Sequence, residues 1–141
     1  MKNSIKPSGG TILFRVDASA DIGTGHAMRC LALAQKLIDR GGRAVFAMSS
    51  NTPKLEERLN SEECEIVKLS SQPYGEDDVN ESSEIARRAD AACVVIDGYN
   101  FAAKYQKLWK KAGIKTLFVD DYGHAGYYCS DFVLNQSLFA H

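Results

Sequence analysis

Residues 11–38 read Thr11-Ile-Leu-Phe-Arg-Val-Asp17, then Ala18-Ser-Ala-Asp-Ile-Gly-Thr-Gly25, then His26-Ala-Met-Arg-Cys-Leu-Ala-Leu-Ala-Gln-Lys-Leu-Ile38. The first segment is a short β-rich run behind a Gly-Gly pair, which predicts a strand. The second is small and polar, which predicts a loop. In the third, Met28, Leu31, Leu33, Ala34, Leu37 and Ile38 recur at helical spacing, and Gly41-Gly42 marks the stop. The chain therefore opens on a strand, a glycine-rich loop and a helix.

The same alternation continues outward. Ala44–Met48 predicts a second strand. Residues 50–60 predict a helix capped by Asn51 or Thr52, with Pro53 in its first turn. Cys64–Leu69 predicts a third strand. Ser70–Asp78 is polar, contains Pro73 and Gly75, and is expected to be a mobile loop. A helix is predicted over Val79–Asp90. Ala92-Cys-Val-Val-Ile-Asp97 is a continuous apolar run, as expected of a central strand buried on both faces. A helix over Phe101–Ala112 stops at Gly113, and strands follow at Lys115–Asp120 and Asp131–Leu134. Strands alternating with helices predict an α/β fold with a parallel sheet. Such sheets bind ligands outside the carboxyl ends of their strands, where Asp17, Asp97, Tyr99, Asp120, Asp121 and Asn135 gather.

Composition narrows the function classes. The chain has 141 residues, enough for one domain with a real core. A net charge of −1 gives no basic excess for nucleic acid or anionic membrane. No run approaches the roughly 18 apolar residues of a membrane span. Met1–Gly10 is polar and lacks the apolar core of a signal peptide, so a flexible lead-in and a cytoplasmic location are expected. Cys30, Cys64, Cys93 and Cys129 form no CxxC pair and predict free thiols.

The loop Asp21-Ile-Gly-Thr-Gly-His26 is the strongest chemical signal. Glycines such as Gly23 and Gly25 let backbone approach a ligand closely. A helix N-terminus favours phosphate or a developing anion, and the same field favours a neutral histidine able to act as a base. Arg29 follows one turn later on the same face, and with Gly23, Gly25 and Asp97 it is expected to contact the substrate. The loop is not a dinucleotide fingerprint, because Met28 stands where GxGxxG needs glycine, and no Gly-Lys-Ser/Thr of a Walker loop follows. The alternative is a tight turn whose histidine caps the helix. Asp17 and Asp97 at strand ends suit orienting a histidine or binding sugar hydroxyls, or else capping a turn. Tyr99 suits stacking on a sugar or packing. His124 reads as a surface-loop residue, and Trp109 as packing. No zinc-helix pairing of histidines and no GxSxG elbow is present, so neither a metal nor a serine nucleophile is implied.

Arg15, Asp17, Ser19, Ile22, Gly23, Gly25, His26, Arg29, Cys30 and Leu31 match a family pattern R-x-D-x-S-x-x-I-G-x-G-H-x-x-R-C/D-L. The chain resembles the UDP-sugar hydrolases of pseudaminic acid biosynthesis and the related spore-coat polysaccharide biosynthesis proteins. Val95-Ile-Asp-Gly-Tyr99, Phe118-Val-Asp-Asp121 and Cys129-Ser-Asp-Phe-Val-Leu-Asn135 resemble further segments of that family, so the likeness spans about residues 11–140. It implies a GT-B-like enzyme of two Rossmann-like domains with the active site between them. Residues 11–141 then correspond to the N-terminal domain, and the C-terminal nucleotide-binding domain is absent from this chain. The implied reaction is hydrolysis of UDP-2,4-diacetamido-2,4,6-trideoxy-β-L-altropyranose, with His26 as the general base and no cofactor. The implied cleft residues that position sugar or water are Asp17, Gly25, Tyr99 and Asn135. Position 98 is Gly where some relatives carry His. A GT-B sugar transferase, with an acceptor hydroxyl in place of water, fits the same site logic. The other class of reading is a non-catalytic Rossmann-like module that binds a nucleotide or a protein partner.

Overall fold

The structure is a computed structural model that describes residues 9–120 and 132–135. Strand β1 (Thr11–Val16) lies inside the sheet, with β2 (Arg43–Met48) on one side and β4 (Cys93–Asp97) on the other, both parallel to it. Strand β3 (Glu65–Lys68) extends the β2 side, and β5 (Thr116–Asp120) and β6 (Phe132–Asn135) extend the β4 side. The strand order is β3-β2-β1-β4-β5-β6. The chain winds outward from β1 to β3, then returns across the sheet and winds the other way. The reversal falls between β1 and β4, where an open parallel sheet has its ligand crevice. The predicted α/β class with a Rossmann-like parallel sheet is the fold observed.

Alternation along the central strands explains why helices cover both faces. Phe14 and Val16 of β1 join Phe46, Met48 and Val95 in a core under α1 (Gly25–Asp39) and α2 (Pro53–Ser61). Leu13 joins Val45, Ala47, Val94, Ile96 and Phe118 in a second core under α3 (Glu76–Arg88) and α4 (Ala103–Lys111). Trp109 is fully buried there, as its packing assignment requires.

Local signals account for the start of α2. Thr52 caps α2, its hydroxyl accepting the Leu55 N–H at 3.3 Å, with Pro53 opening the helix. The buried stripe of α1 is Ala27, Cys30, Leu31 and Ala34. Met28, counted in the apolar pattern of the sequence, is instead exposed on the helix flank. Small residues on the buried side let α1 sit close against the sheet.

The expectation of a mobile loop over Ser70–Asp78 is corrected. Helix α3 already begins at Glu76, with Glu76, Asp77 and Asp78 in its first turn, where carboxylates suit the helix dipole. The stretch before it is pinned, because Glu81 accepts hydrogen bonds from the N–H and hydroxyl groups of both Ser70 and Ser71. Asp78 is fully buried under β1.

There Asp78 meets Arg15, also fully buried. Arg15 Nη2 donates to Asp78 Oδ2 at 2.7 Å and Nε to Oδ1 at 3.1 Å. Tyr105 Oη, Ser82 Oγ and the Tyr74 N–H also donate to the Asp78 carboxylate. Burial pushes the Asp78 carboxyl up, but Arg15, with Tyr74 and Tyr105, more than offsets this and holds it below the usual range. Burial likewise pulls Arg15 down, yet its acidic partners leave it above its ordinary value. The pair therefore strengthens each charge.

Because the folded value of Asp78 lies below its unfolded value, its stabilisation is present above the unfolded value of about 3.9 and is lost as pH falls through the folded value. Arg15→Met or Asp78→Asn is expected to cost about 3–5 kcal/mol at neutral pH, since either leaves a buried partner uncompensated. Urea unfolding measures this. Asp78→Asn should also flatten the fall of stability with pH below about 5. An equally steep fall in that variant would place the acid sensitivity elsewhere.

Candidate functional site

The register places Val16 opposite Asp97, so β1 and β4 end side by side at the switch point. The first turn of α1 rises against them and carries His26. His26 Nδ1 lies 2.8 Å from Asp97 Oδ1. Asp97 is fully buried and the His26 side chain is 11% exposed. A proton on Nδ1 donates to this carboxylate and leaves the Nε2 lone pair for a reacting group; the assignment rests on the hydrogen-bond network. Arg29, one turn on, donates to the same carboxylate through Nε (2.8 Å, Oδ2) and Nη2 (2.6 Å, Oδ1). Tyr99 packs edge-on against the His26 ring, with centroids 4.8 Å apart. Cys30 lies beneath, its Sγ 3.8 Å from Asp97 Oδ2. Burial, then the nearby Asp97 charge, pushes the Cys30 thiol up, which suits an inert neutral group.

The loop before α1 is shaped by Ser19. Its hydroxyl accepts the Ile22 N–H at 3.0 Å and its carbonyl accepts the Gly23 N–H at 2.7 Å. Gly23 has φ +82°, a region that favours glycine. Gly25 needs no such freedom, and a Cβ there would meet nothing within 4 Å. The space over its backbone is open. No side chain caps α1.

A cleft of about 300 Å³ is walled on this side by Asp97 and Tyr99, which both touch the His26 ring. It is lined by Asp17, Asp21, Ile22, Tyr74, Asp97, Gly98, Tyr99, Asn100 and Phe101. Among these described residues there is no lysine or arginine. Asp17 is held by its own surroundings. Its Oδ1 accepts from Arg15 Nη1 (2.9 Å) and from the N–H groups of Ser49 (2.6 Å) and Ser50 (3.1 Å). Its Oδ2 accepts from Tyr74 Oη at 2.7 Å. Burial and that bond push the Tyr74 phenol up to about 12, so it stays protonated and donating near neutrality. Gly98 has φ +152°, and a Cβ there would come within 3.0 Å of the Phe101 ring. A histidine at this position would need Phe101 to move.

The sequence-predicted residues therefore divide. His26, Arg29, Asp97 and Tyr99 come together in one cluster. Asp17 lines the same cleft but spends its carboxylate on the turns after β2 and on Tyr74, so the reading of Asp17 as a turn holder is the one its contacts match. Gly23 lies in the loop beneath, and Gly25 opens α1. Asn135 ends β6 on the same rim, paired in register with Asp120, two strands from β4. Asp121, His124 and Cys129 lie outside the described residues. Tyr74, Asn100 and Phe101 also line the cleft, and the sequence does not single them out. Tyr74 belongs to the stretch assigned to a mobile loop, and the signal against that assignment was the acidic run Glu76-Asp77-Asp78 directly behind Gly75. Among the described residues no group of three His, Cys, Asp or Glu side chains is placed to hold a metal ion, and no helix is long and apolar enough to cross a membrane.

No family model matches the chain, and no curated protein matches it by sequence. Solved structures do match. A glycosyltransferase from Rickettsia africae ESF-5 is 16% identical with a TM-score of 0.58, over 78% of this chain and 29% of its own. MurG from Acinetobacter baumannii is 16% identical with a TM-score of 0.54, over 78% of this chain and 34% of its own. TcCGT1, solved in complex with UDP, is 13% identical with a TM-score of 0.52, over 82% of this chain and 28% of its own. The chain thus spans about a third of the length of these proteins. At such identities the likeness is one of fold: the chain shares its Rossmann-like architecture with part of each of these proteins.

The two loop glycines should respond differently. Gly23→Ala is expected to cost about 1–2 kcal/mol through its left-handed backbone. Gly25→Ala should be neutral or stabilising by a few tenths of a kcal/mol, since alanine is the better helix former. Chemical denaturation of both variants checks this, and equal costs would contradict the loop geometry.

Proposed function

We propose that this chain is the N-terminal domain of a UDP-sugar hydrolase in which His26 is the general base. The observation that carries the reading is the 2.8 Å contact of His26 Nδ1 with the buried Asp97 carboxylate, at the switch-point rim beside an open cleft. A histidine gripped at Nδ1 by a buried carboxylate has a fixed orientation and a free Nε2, the arrangement general-base catalysis requires. The glycosyltransferase folds of the structural neighbours, one of them solved with UDP, support a sugar nucleotide as substrate.

In this mechanism Nε2 takes a proton from water as the water oxygen bonds to the anomeric carbon. The bond from that carbon to the diphosphate oxygen breaks, and its electron pair leaves with UDP. Asp97 stabilises the imidazolium that forms. The substrate class is the 2,4-diacetamido-trideoxy sugar implied by the sequence resemblance, in surface-polysaccharide biosynthesis. The absence of a cation among the cleft's described lining residues supports a division of labour: this domain holds the sugar and the base, and a following domain outside these 141 residues holds the diphosphate. The isolated chain then has little turnover, because one wall neither excludes water nor orients the leaving group.

The glycosyltransferase neighbours favour one second reading, transfer to an acceptor hydroxyl activated by the same histidine. Product analysis separates the two: free sugar for hydrolysis, a glycoside for transfer.

The test is UDP release from candidate UDP-deoxysugars by the protein encoded by the full reading frame. His26→Ala is expected to lower kcat by about 10²–10⁴-fold with KM little changed. Asp97→Asn should give a loss of similar size, since the ring is then held in the wrong tautomer. Unimpaired turnover by His26→Ala would leave the chain a binding module.

A further inference from the structure

We infer that Arg29 is a positioning residue, which locks the Asp97 carboxylate in the plane that presents Oδ1 to His26. The inference rests on the general-base reading of His26. It reassigns a residue that the sequence marks as a substrate contact.

The geometry is specific. A carboxylate turns easily about its last torsion, which is broad and roughly two-fold. A contact on one oxygen leaves that rotation open. Arg29 grips both oxygens of Asp97, Nε on Oδ2 at 2.8 Å and Nη2 on Oδ1 at 2.6 Å. Such a bidentate fork defines a plane as well as a distance. His26 and Arg29 are three residues apart on α1, so ring and fork reach Asp97 from one helix face. Arg29 is itself confined, its side chain being 20% exposed and Asp97 not exposed at all.

The fork also bears on the tautomer. Arg29 Nη2 lies 3.2 Å from His26 Nδ1 as well as 2.6 Å from Asp97 Oδ1. With the proton on Nδ1, ring and guanidinium both donate to Oδ1. With the proton on Nε2, Nδ1 accepts from Nη2 instead, and the ring has no lone pair facing the reacting water. A carboxylate held in plane keeps Oδ1 as the common acceptor and so favours the first arrangement. Lysine retains the charge but not the fork. Arg29→Lys thus separates orientation from simple electrostatic attraction to a substrate anion.

The experiment uses UDP-sugar turnover by the protein encoded by the full reading frame, together with imidazole ¹⁵N NMR of that protein, the His26 signals being assigned with His26→Gln. Arg29→Lys is expected to lower kcat by about tenfold to a hundredfold, the scale of a small misplacement of a catalytic group, with KM unchanged. In the His26→Ala background the same substitution should change the residual rate by less than about twofold, since a residue acting through His26 has nothing left to position. The spectra should move from a single Nδ1-protonated form to a mixture of tautomers. A raised KM with kcat retained would overturn the inference and restore Arg29 as a substrate contact. An equal loss in both backgrounds, or unchanged ring signals, would overturn it as well. Full activity of His26→Ala would instead remove the general-base reading, while the ring signals would still report whether Arg29 sets the tautomer.

Discussion

The buried guanidinium of Arg15 ties together more of this domain than any other described side chain. It projects from β1 into the α3/α4 face of the sheet, a layer otherwise built from Leu13, Val45, Val94 and Ile96. A charge in such a place is tolerated only when its donors are met. Asp78 meets it from α3, Asp17 from the end of β1, the Ala47 carbonyl from β2 and Ser49 from the turn beyond. Phe101 and Tyr74 lie against it, with ring centroids 5.0 and 5.7 Å from its Cζ. One side chain therefore fixes where two strands end, where α3 begins and how Tyr74 enters the cleft wall.

A second ion pair, the part-exposed Arg29 with the buried Asp97, sits on the opposite face of the same sheet. Residues 15 and 97 follow the alternation of their strands, one toward α3 and α4, the other toward α1. The carboxyl rim is thus held from both sides, and the cleft opens between the two pairs. This arrangement explains why Asp17 and Asp97, both acidic and both at strand ends, differ in what they do. Asp17 faces donors from the backbone and from Arg15. Asp97 faces a histidine with one nitrogen left over.

The fold was legible because the alternation of short β-rich runs with helical patterns, broken by Gly41-Gly42 and Gly113, leaves few alternatives for a chain of this size. The cluster around His26 was legible for a related reason: a glycine loop entering a helix sets histidine and arginine one turn apart on the side facing the sheet. What Asp97 does for them was open, because an acid at a strand end serves equally well as a cap, and only the β1–β4 pairing brings it to the first turn of α1. The contribution of Tyr74 was hidden more deeply. Its stretch has the composition of a loop, and its order comes from Glu81 and Asp78, partners several residues ahead whose direction is set by packing. Met28 went astray for the opposite reason, since an apolar residue at helical spacing still falls outside the stripe when the helix lies close on small residues.

The balance of charge in the cleft bears on what such a domain does alone. Its two innermost carboxylates are each matched by an arginine that reaches them from inside the protein, and both arginines are occupied in doing so. The described walls of the cleft then offer Ile22, Tyr74, Tyr99 and Phe101, the amide of Asn100 and the exposed Asp21. Such a surface suits the apolar faces and hydrogen-bonding substituents of a sugar ring and offers little to a diphosphate. Leaving-group charge in a displacement at the anomeric carbon has to be stabilised in the transition state by donors or cations. Among the described residues of this rim, the uncapped first turn of α1 and the open backbone over Gly25 are places where such donors stand. On the proposed reading, His26 supplies the base, and stabilising a departing diphosphate falls to groups other than the described lining of this cleft.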